Sequence, residues 1–167
     1  MLIRPAEPAD AFAVARVHVR AWQAGYRKLL SDEYLDGLRP EDRAQRYTFG
    51  STDPQKPTTI VAVEHDTICA FATTAPTQDA DVAGYGELAA LNVDPDSWGG
   101  GIGMALVIEA RARLLDAGFK NAVLWVMVGN GRAQRLYTRD GWAPDGSRRT
   151  EEVWGAKVDA VRYRRAL

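Results

Sequence analysis

Along this chain the spacing of apolar residues switches repeatedly between strand and helix periods, and the switches divide it into elements. Leu2 to Arg4 predicts a short first strand. Pro5 to Asp10 then leads into a helix on which Phe12, Ala15, Val19, Trp22 and Tyr26 fall three and four apart, a stripe expected to face the core. Ser31 is positioned to cap a second short helix running to Leu38, and Pro40 suits the first turn of a third that carries Arg43, Arg46 and Tyr47. β-Branched residues crowd Thr58 to Val63 and Ile68 to Thr74 on either side of His65 and Asp66, which predicts an antiparallel hairpin. After a polar loop from Pro76 to Gly84, the stretch Tyr85 to Val93 alternates as a strand, with Glu87, Ala89, Leu91 and Val93 on one face.

A helix from Gly101 to about Ala117, with Glu109 and Arg113 spaced as an ion pair, stops at Gly118, and Asn121 to Val128 follows as a buried strand. Strand, helix and strand in that order form a βαβ unit, two parallel strands joined by a right-handed crossover. Asn130 can cap one more helix, on which Ala133, Leu136 and Tyr137 share a face and which Gly141 ends. Arg148 to Trp154 and Asp159 to Arg164 read as closing strands, so the expected architecture is a mixed sheet with helices on both faces.

Composition narrows the function classes. A chain of 167 residues that is 46% hydrophobic and 26% charged suits one domain with a sizeable core, and its net charge of -1 gives no reason to expect nucleic acid or a membrane as partner. The opening MLIRPAEPAD lacks a long apolar core, and the longest apolar run, Ala122 to Val128, is far too short for a membrane span, so a cytoplasmic protein is expected. Cys69, the only cysteine, rules out an intrachain disulfide and reads as a buried strand thiol. With two histidines besides, the chain offers no credible metal ligand set.

The chemistry concentrates in Leu91 to Leu106, LNVDPDSWGGGIGMAL. Asp94 and Pro95 stop the strand, Gly99, Gly100, Gly101 and Gly103 free the backbone, and Ile102 opens the helix. Such a turn aims several amide hydrogens and the positive end of a helix dipole at one spot, which suits a pyrophosphate. The dinucleotide pattern GxGxxG fails at Met104 and Leu106, which disfavours a Rossmann domain, and GxxxxGK[ST] fails for want of a lysine. The signature [RQ]xxGx[GA] fits at Gly101 and Gly103 with Ile102 between them, and Trp98 stands where glutamine or arginine is usual. The stretch resembles the GNAT superfamily of acyl-CoA N-acyltransferases. Asn130, Ala133, Tyr137, Gly141 and Trp142 resemble the second pattern of that family, in the right order and separated by the right helix and strand.

The resemblance implies an α/β fold over residues 1–167 as a single N-acetyltransferase domain. A mixed central sheet of about seven strands would be flanked by helices, with a V-shaped splay between two parallel strands. It implies acetyl-CoA as co-substrate, with no metal, held by Leu91, Val93, Trp98, Gly99, Gly100, Gly101, Ile102, Gly103 and Asn130. The Val93 N–H would polarise the thioester carbonyl, Tyr137 would protonate the departing thiolate, and Glu87 would take a proton from the attacking amine. His18 and a water relay stand as alternatives for the base. Trp22 and Tyr26 are candidates for the acceptor pocket, and Asp79, Asp81 and Glu87 give that side an acidic bias suited to a cationic amine. Arg132 and Arg135, near the start of the helix that carries Tyr137, are open to contact with the 3'-phosphate or other groups of coenzyme A, the alternative being plain solvation. The acceptor expected is the primary amine of a small molecule or peptide, attacked directly in a ternary complex, and the resemblance leaves a homodimer open. The competing reading is a non-catalytic acyl-CoA sensor or partner-binding domain that keeps the glycine cradle without turnover.

Overall fold

The computed structural model describes residues 1–167. Strands β1 (Leu2–Pro5), β2 (Thr58–Glu64), β3 (Thr67–Pro76), β4 (Gly86–Val93), β5 (Asn121–Met127), β6 (Ala143–Val153) and β7 (Ala156–Ala166) form one seven-stranded sheet in the order β1-β2-β3-β4-β5-β7-β6. Every neighbouring pair is antiparallel except β4 and β5. His65 and Asp66, both at positive φ, make the tight β2–β3 turn, and Trp154 with Gly155 does the same for β6–β7.

Helices cover both faces. The helix α1 (Ala11–Gly25) packs on one face with the short α2 (Asp32–Asp36) and α3 (Pro40–Ala44), while α4 (Ile102–Asp116) and α5 (Gly131–Arg139) cover the other. Ser31 caps α2 by accepting from the Tyr34 N–H, and α3 ends before Arg46 and Tyr47, which lie beyond the helix. Ala15, Val19 and Trp22 of the expected stripe on α1 are buried, Phe12 is 52% exposed, and the buried face widens to include Val14, Val17, His18 and Ala21. The helix starts only at Ala11, so Phe12 lies in its first turn, outside the sheet's footprint.

Two features of β4 position the site. Its register with β3 slips between Thr73↔Ala90 and Thr74↔Leu88, leaving Ala89 as an extra residue, a β-bulge. The bulge breaks the expected alternation. Leu88 joins Leu91 and Val93 in the core under α4 and α5, whereas Glu87 and Ala90 turn to the α1 face. Secondly, β4 pairs with β5 only at Gly86↔Ala122 and Glu87↔Val123, beyond which the parallel strands part. Gly86 stands at the apex of this splay, and a Cβ there would come within 2.7 Å of Leu114 Cδ2. Gly86→Val is therefore expected to lower stability by about 1–3 kcal/mol through overpacking, read as a shifted urea midpoint.

The two helices flanking the splay are tied together. Asp140, just past α5, accepts two hydrogen bonds from Arg111 of α4, at 2.7 and 2.8 Å, and one from the indole of buried Trp142 at 2.9 Å. No helix is long and apolar enough to cross a membrane.

Candidate active site

Antiparallel alternation decides which amides of β4 face the splay. The Asp94 N–H donates to the Cys69 carbonyl, so along the Ala70↔Val93 register the peptide groups of Asn92 point to β3 and those of Leu91 and Val93 point away from it. With β5 diverging, Leu91 and Val93 direct their backbone groups into the gap. One of them is already used, since the Trp98 indole N–H donates to the Val93 carbonyl at 2.8 Å. The Val93 N–H remains directed into the gap, where the sequence reading requires it.

Below this gap a cavity of about 390 Å³ is lined by Leu91, Val93, Trp98, Gly99, Gly101, Ile102, Gly103, Asn130 and Tyr137, while Gly100 stays outside the lining. Gly99 and Gly101 adopt φ of 81° and 82°, a conformation that favours glycine, and Gly101 directly precedes the first turn of α4. A Cβ on Gly101 would meet no protein atom within 4 Å and would project into open space at the cavity mouth. These residues fit a pyrophosphate, because the helix start offers unpaired N–H groups and no side chain fills the cradle. Asp94, which holds the loop entering the cradle, is gripped by Arg20 of α1 through two bonds of 2.7 and 3.1 Å.

Trp98 has a partner that sequence reasoning missed. The Arg132 guanidinium lies 3.2 Å from the centre of the indole ring, and Arg132, Arg135 and Arg139 all line the cavity. Of the two readings left open for Arg132 and Arg135, lining of the cradle cavity agrees with contact to a bound group and not with plain solvation. A basic residue within reach of the cradle was legible, but its stacking on Trp98 needed the packing of α5 against the cradle.

A second cavity of about 270 Å³ opens on the α1 face, lined among others by His18, Trp22, Arg43, Glu87, Trp125 and Arg149. Tyr26, Leu91, Asn130, Ala133 and Tyr137 line both cavities, so the two meet across the splay. Tyr137 is 7% exposed, and burial, with Tyr26 adding to it, pushes its phenol well above the ordinary range and keeps it protonated. Asn130 is committed on both sides, its Oδ1 accepting from the Ala133 N–H and its amide donating to the Tyr26 hydroxyl, each at 3.2 Å. It therefore sets the start of α5 and the position of Tyr26 together.

Glu87 is half-buried and carries one hydrogen bond, from the Thr77 hydroxyl at 3.2 Å. Burial, then the nearby charge of Asp79, raises its carboxyl above the usual range. His18 is driven the other way, down to about 3, first by burial and then by Arg43, and its ring is held by Tyr47 and packed against Trp22, Phe71 and Trp154. Asp79 and Asp81 are ion-paired, yet the side stays acidic, because Arg162 and Arg149 face Asp79, Asp81, Asp145, Glu151 and Glu87. Arg162, almost fully buried, binds Asp79 at 3.1 Å, Asp81 at 2.6 Å and Asp145 at 2.7 Å, bracing the loop beside the cavity. Cys69 is buried and its thiol is raised by that burial. No group of three His, Cys, Asp or Glu side chains comes together to hold a metal ion.

A glycine cradle at a helix start, two parallel strands that part, and a buried phenol where two cavities meet together define an acyl-CoA-dependent acyltransferase. The model of the Acetyltransferase (GNAT) family matches residues 22–142, and the chain belongs to that family. It is 26% identical over 128 residues to the uncharacterized N-acetyltransferase YuaI of Bacillus subtilis, covering 77% of this chain and 72% of that protein. Its fold is similar to that of the PaiA N-acetyltransferase from Thermoplasma acidophilum in complex with coenzyme A (TM-score 0.72, 19% identity, 99% of this chain and 98% of that one). It is likewise similar to YncA from Salmonella typhimurium, solved with acetyl-CoA (TM-score 0.68, 18% identity, 99% and 93%).

Proposed function

We propose that residues 1–167 act as one N-acetyltransferase domain, which moves an acetyl group from acetyl-CoA to a primary amine of a small molecule or peptide by direct attack in a ternary complex. The observation that carries this reading is the meeting of the two cavities at Tyr137 across the β4–β5 splay. One cavity has the glycine cradle and three arginines for the phosphates. The other has the half-buried carboxylate of Glu87 for the amine. The bound coenzyme A and acetyl-CoA of the PaiA and YncA structures support the same co-substrate.

In this reading the cradle from Trp98 to Gly103 fixes the pyrophosphate, and the backbone of Leu91 and Val93 aligns the pantetheine arm. The Val93 N–H donates to the thioester oxygen as the amine nitrogen bonds to the carbonyl carbon. Glu87 receives the proton the amine gives up, directly or through a water, and its raised carboxyl makes it a better base than an ordinary glutamate. His18, held neutral and down to about 3, is too weak a base for that step. As the carbon–sulfur bond breaks, Tyr137 donates its proton to the leaving thiolate. Trp22 and Tyr26 form the aromatic wall of the acceptor side.

The test is thiol release from acetyl-CoA in the presence of a panel of amines, with calorimetric affinity for acetyl-CoA measured alongside. Binding with amine-dependent release is expected. Binding without release for any amine would favour the sensor reading, and no binding would remove both. Gly101→Ala probes the cradle. Its Cβ would be strained at this φ and would enter the phosphate space, so acetyl-CoA should bind about 10-fold more weakly, with the melting temperature lowered by only the few degrees that about 1–2 kcal/mol of backbone strain costs. Unchanged affinity would mean that the phosphates lie elsewhere.

A further inference from the structure

The acceptor cavity contains a cation that the chemistry above does not use. Arg43, on α3, makes no ion pair with any carboxylate, and its Nε is fully buried without a hydrogen-bond partner. Its guanidinium lies over the rings of Tyr47 and Trp154, 5.3 and 5.4 Å from their centres, so its near neighbours are aromatic faces. The other arginine of this cavity, Arg149, also has a buried Nε without a hydrogen-bond partner, but unlike Arg43 it has carboxylate partners. It pairs with Glu151 at 2.8 Å and Asp79 at 3.5 Å and stacks on Trp125. Arg43 is half-buried with no carboxylate partner of its own, and its planar fork of donors matches an acceptor's carboxylate.

Glu87 lines the same cavity and does not pair with Arg43. The surroundings of the two groups do not overlap. Arg43 lies among His18, Tyr47 and Trp154, whereas Glu87 lies beside Thr77, Asp79 and Arg149. One cavity therefore presents an unpaired cation and an unpaired anion on separate parts of its wall, with Trp22, Tyr26 and Trp125 between the elements that carry them. At about 270 Å³ it is smaller than the ~300–1,000 Å³ usual for drug-sized ligands, which favours a compact acceptor over a large one.

Building on the acetyltransferase reading above, we infer that the acceptor is a small zwitterion of the amino-acid class, its carboxylate bound by Arg43 and its amine delivered to Glu87. Transfer joins the amine nitrogen to the acetyl carbon and releases the thiol of coenzyme A, so the product keeps its carboxylate and loses its positive charge. Glu87, holding the proton taken from the amine, passes it to solvent, and the uncharged amide of the product no longer attracts the carboxylate. Arg43 is a specificity-determining residue in this scheme, and it takes no part in the proton transfers.

The experiment uses matched acceptors on the full chain: free amino acids with apolar or aromatic side chains, their carboxamides, and the corresponding amines without the carboxyl group. Thiol release is followed for each with acetyl-CoA. The wild type is expected to favour the free acid of each set by at least 10-fold in kcat/KM, through KM more than kcat. Arg43→Met should erase that preference, the ratio of kcat/KM for free acid over decarboxylated amine falling to near one with acetyl-CoA affinity retained, and Arg43→Lys should restore part of it. Wild-type activity that is equal or better on the carboxamides overturns the zwitterion inference while the acetyltransferase reading stands, and it does so without needing any variant to fold. A dipeptide accepted as well as a free amino acid overturns it also, since the carboxylate would then be misplaced. Thiol release with no acceptor of any kind removes the acetyltransferase reading itself, and the inference with it.

Discussion

Glu87→Gln is expected to lower kcat/KM by about 10²- to 10⁴-fold, the range associated with losing a positioned general base. The glutamine keeps the size of the side chain and its bond to Thr77, so the loss would fall on proton transfer and not on the shape of the cavity. The pH profile is the sharper readout. Burial and the charge of Asp79 raise the Glu87 carboxyl, so the wild-type rate should fall on acidification at a pH above the ordinary carboxylate range, and this limb should vanish in the variant. Stability should move the opposite way. A folded-state pKa raised above the unfolded value means that the stability present at low pH is lost as pH rises through the raised pKa. Glu87→Gln should therefore melt at an equal or higher temperature than wild type near pH 7, and the gain should shrink as pH falls through the raised pKa and vanish only below about pH 3, where both states hold the proton. A variant with near-native rate and an unaltered acidic limb would exclude Glu87 as the base.

Tyr137→Phe is expected to lower kcat and kcat/KM together by about 10- to 10³-fold, the pattern of an interaction made only in the transition state. The ring packs edge-on against Trp142, 6.4 Å between centres, and the tie from Asp140 to Arg111 and Trp142 holds α5 independently of the hydroxyl. Packing and acetyl-CoA affinity should thus change little. Burial holds the phenol protonated well beyond neutral pH, which suits a donor to a leaving thiolate whose reference pKa is about 8.5. A change confined to KM would assign Tyr137 to substrate binding instead, and full activity would end the acid role.

What the sequence could specify follows from how far each feature reaches along the chain. The glycine cradle, the Asn130 cap and the βαβ order depend on residues within a turn or two of one another. Their backbone requirements are written locally, in positive-φ glycines and in a capping side chain three residues from the N–H it receives. The β4 bulge was not legible, because an extra residue such as Ala89 is defined only by the strand it fails to match, and strict alternation put Glu87 on the wrong face. The pairing of the acidic loop was not legible for a similar reason. Nothing near Asp79 and Asp81 announces Arg162, 83 and 81 residues further along, which binds both.

Trp98 reads as a departure from a motif; its bond to Val93 is local, five residues back, and only the packing of α5 against the cradle makes it a stacking partner for Arg132. Arg43 carried no signal at all, lying in a five-residue helix whose role comes entirely from what it packs against. Local backbone chemistry therefore determined the family and the grip on acetyl-CoA that we propose. The acceptor wall is assembled from α1, α3 and four different strands, and a surface built from such distant segments is decided by tertiary packing alone, because no short-range rule couples the residues that meet there.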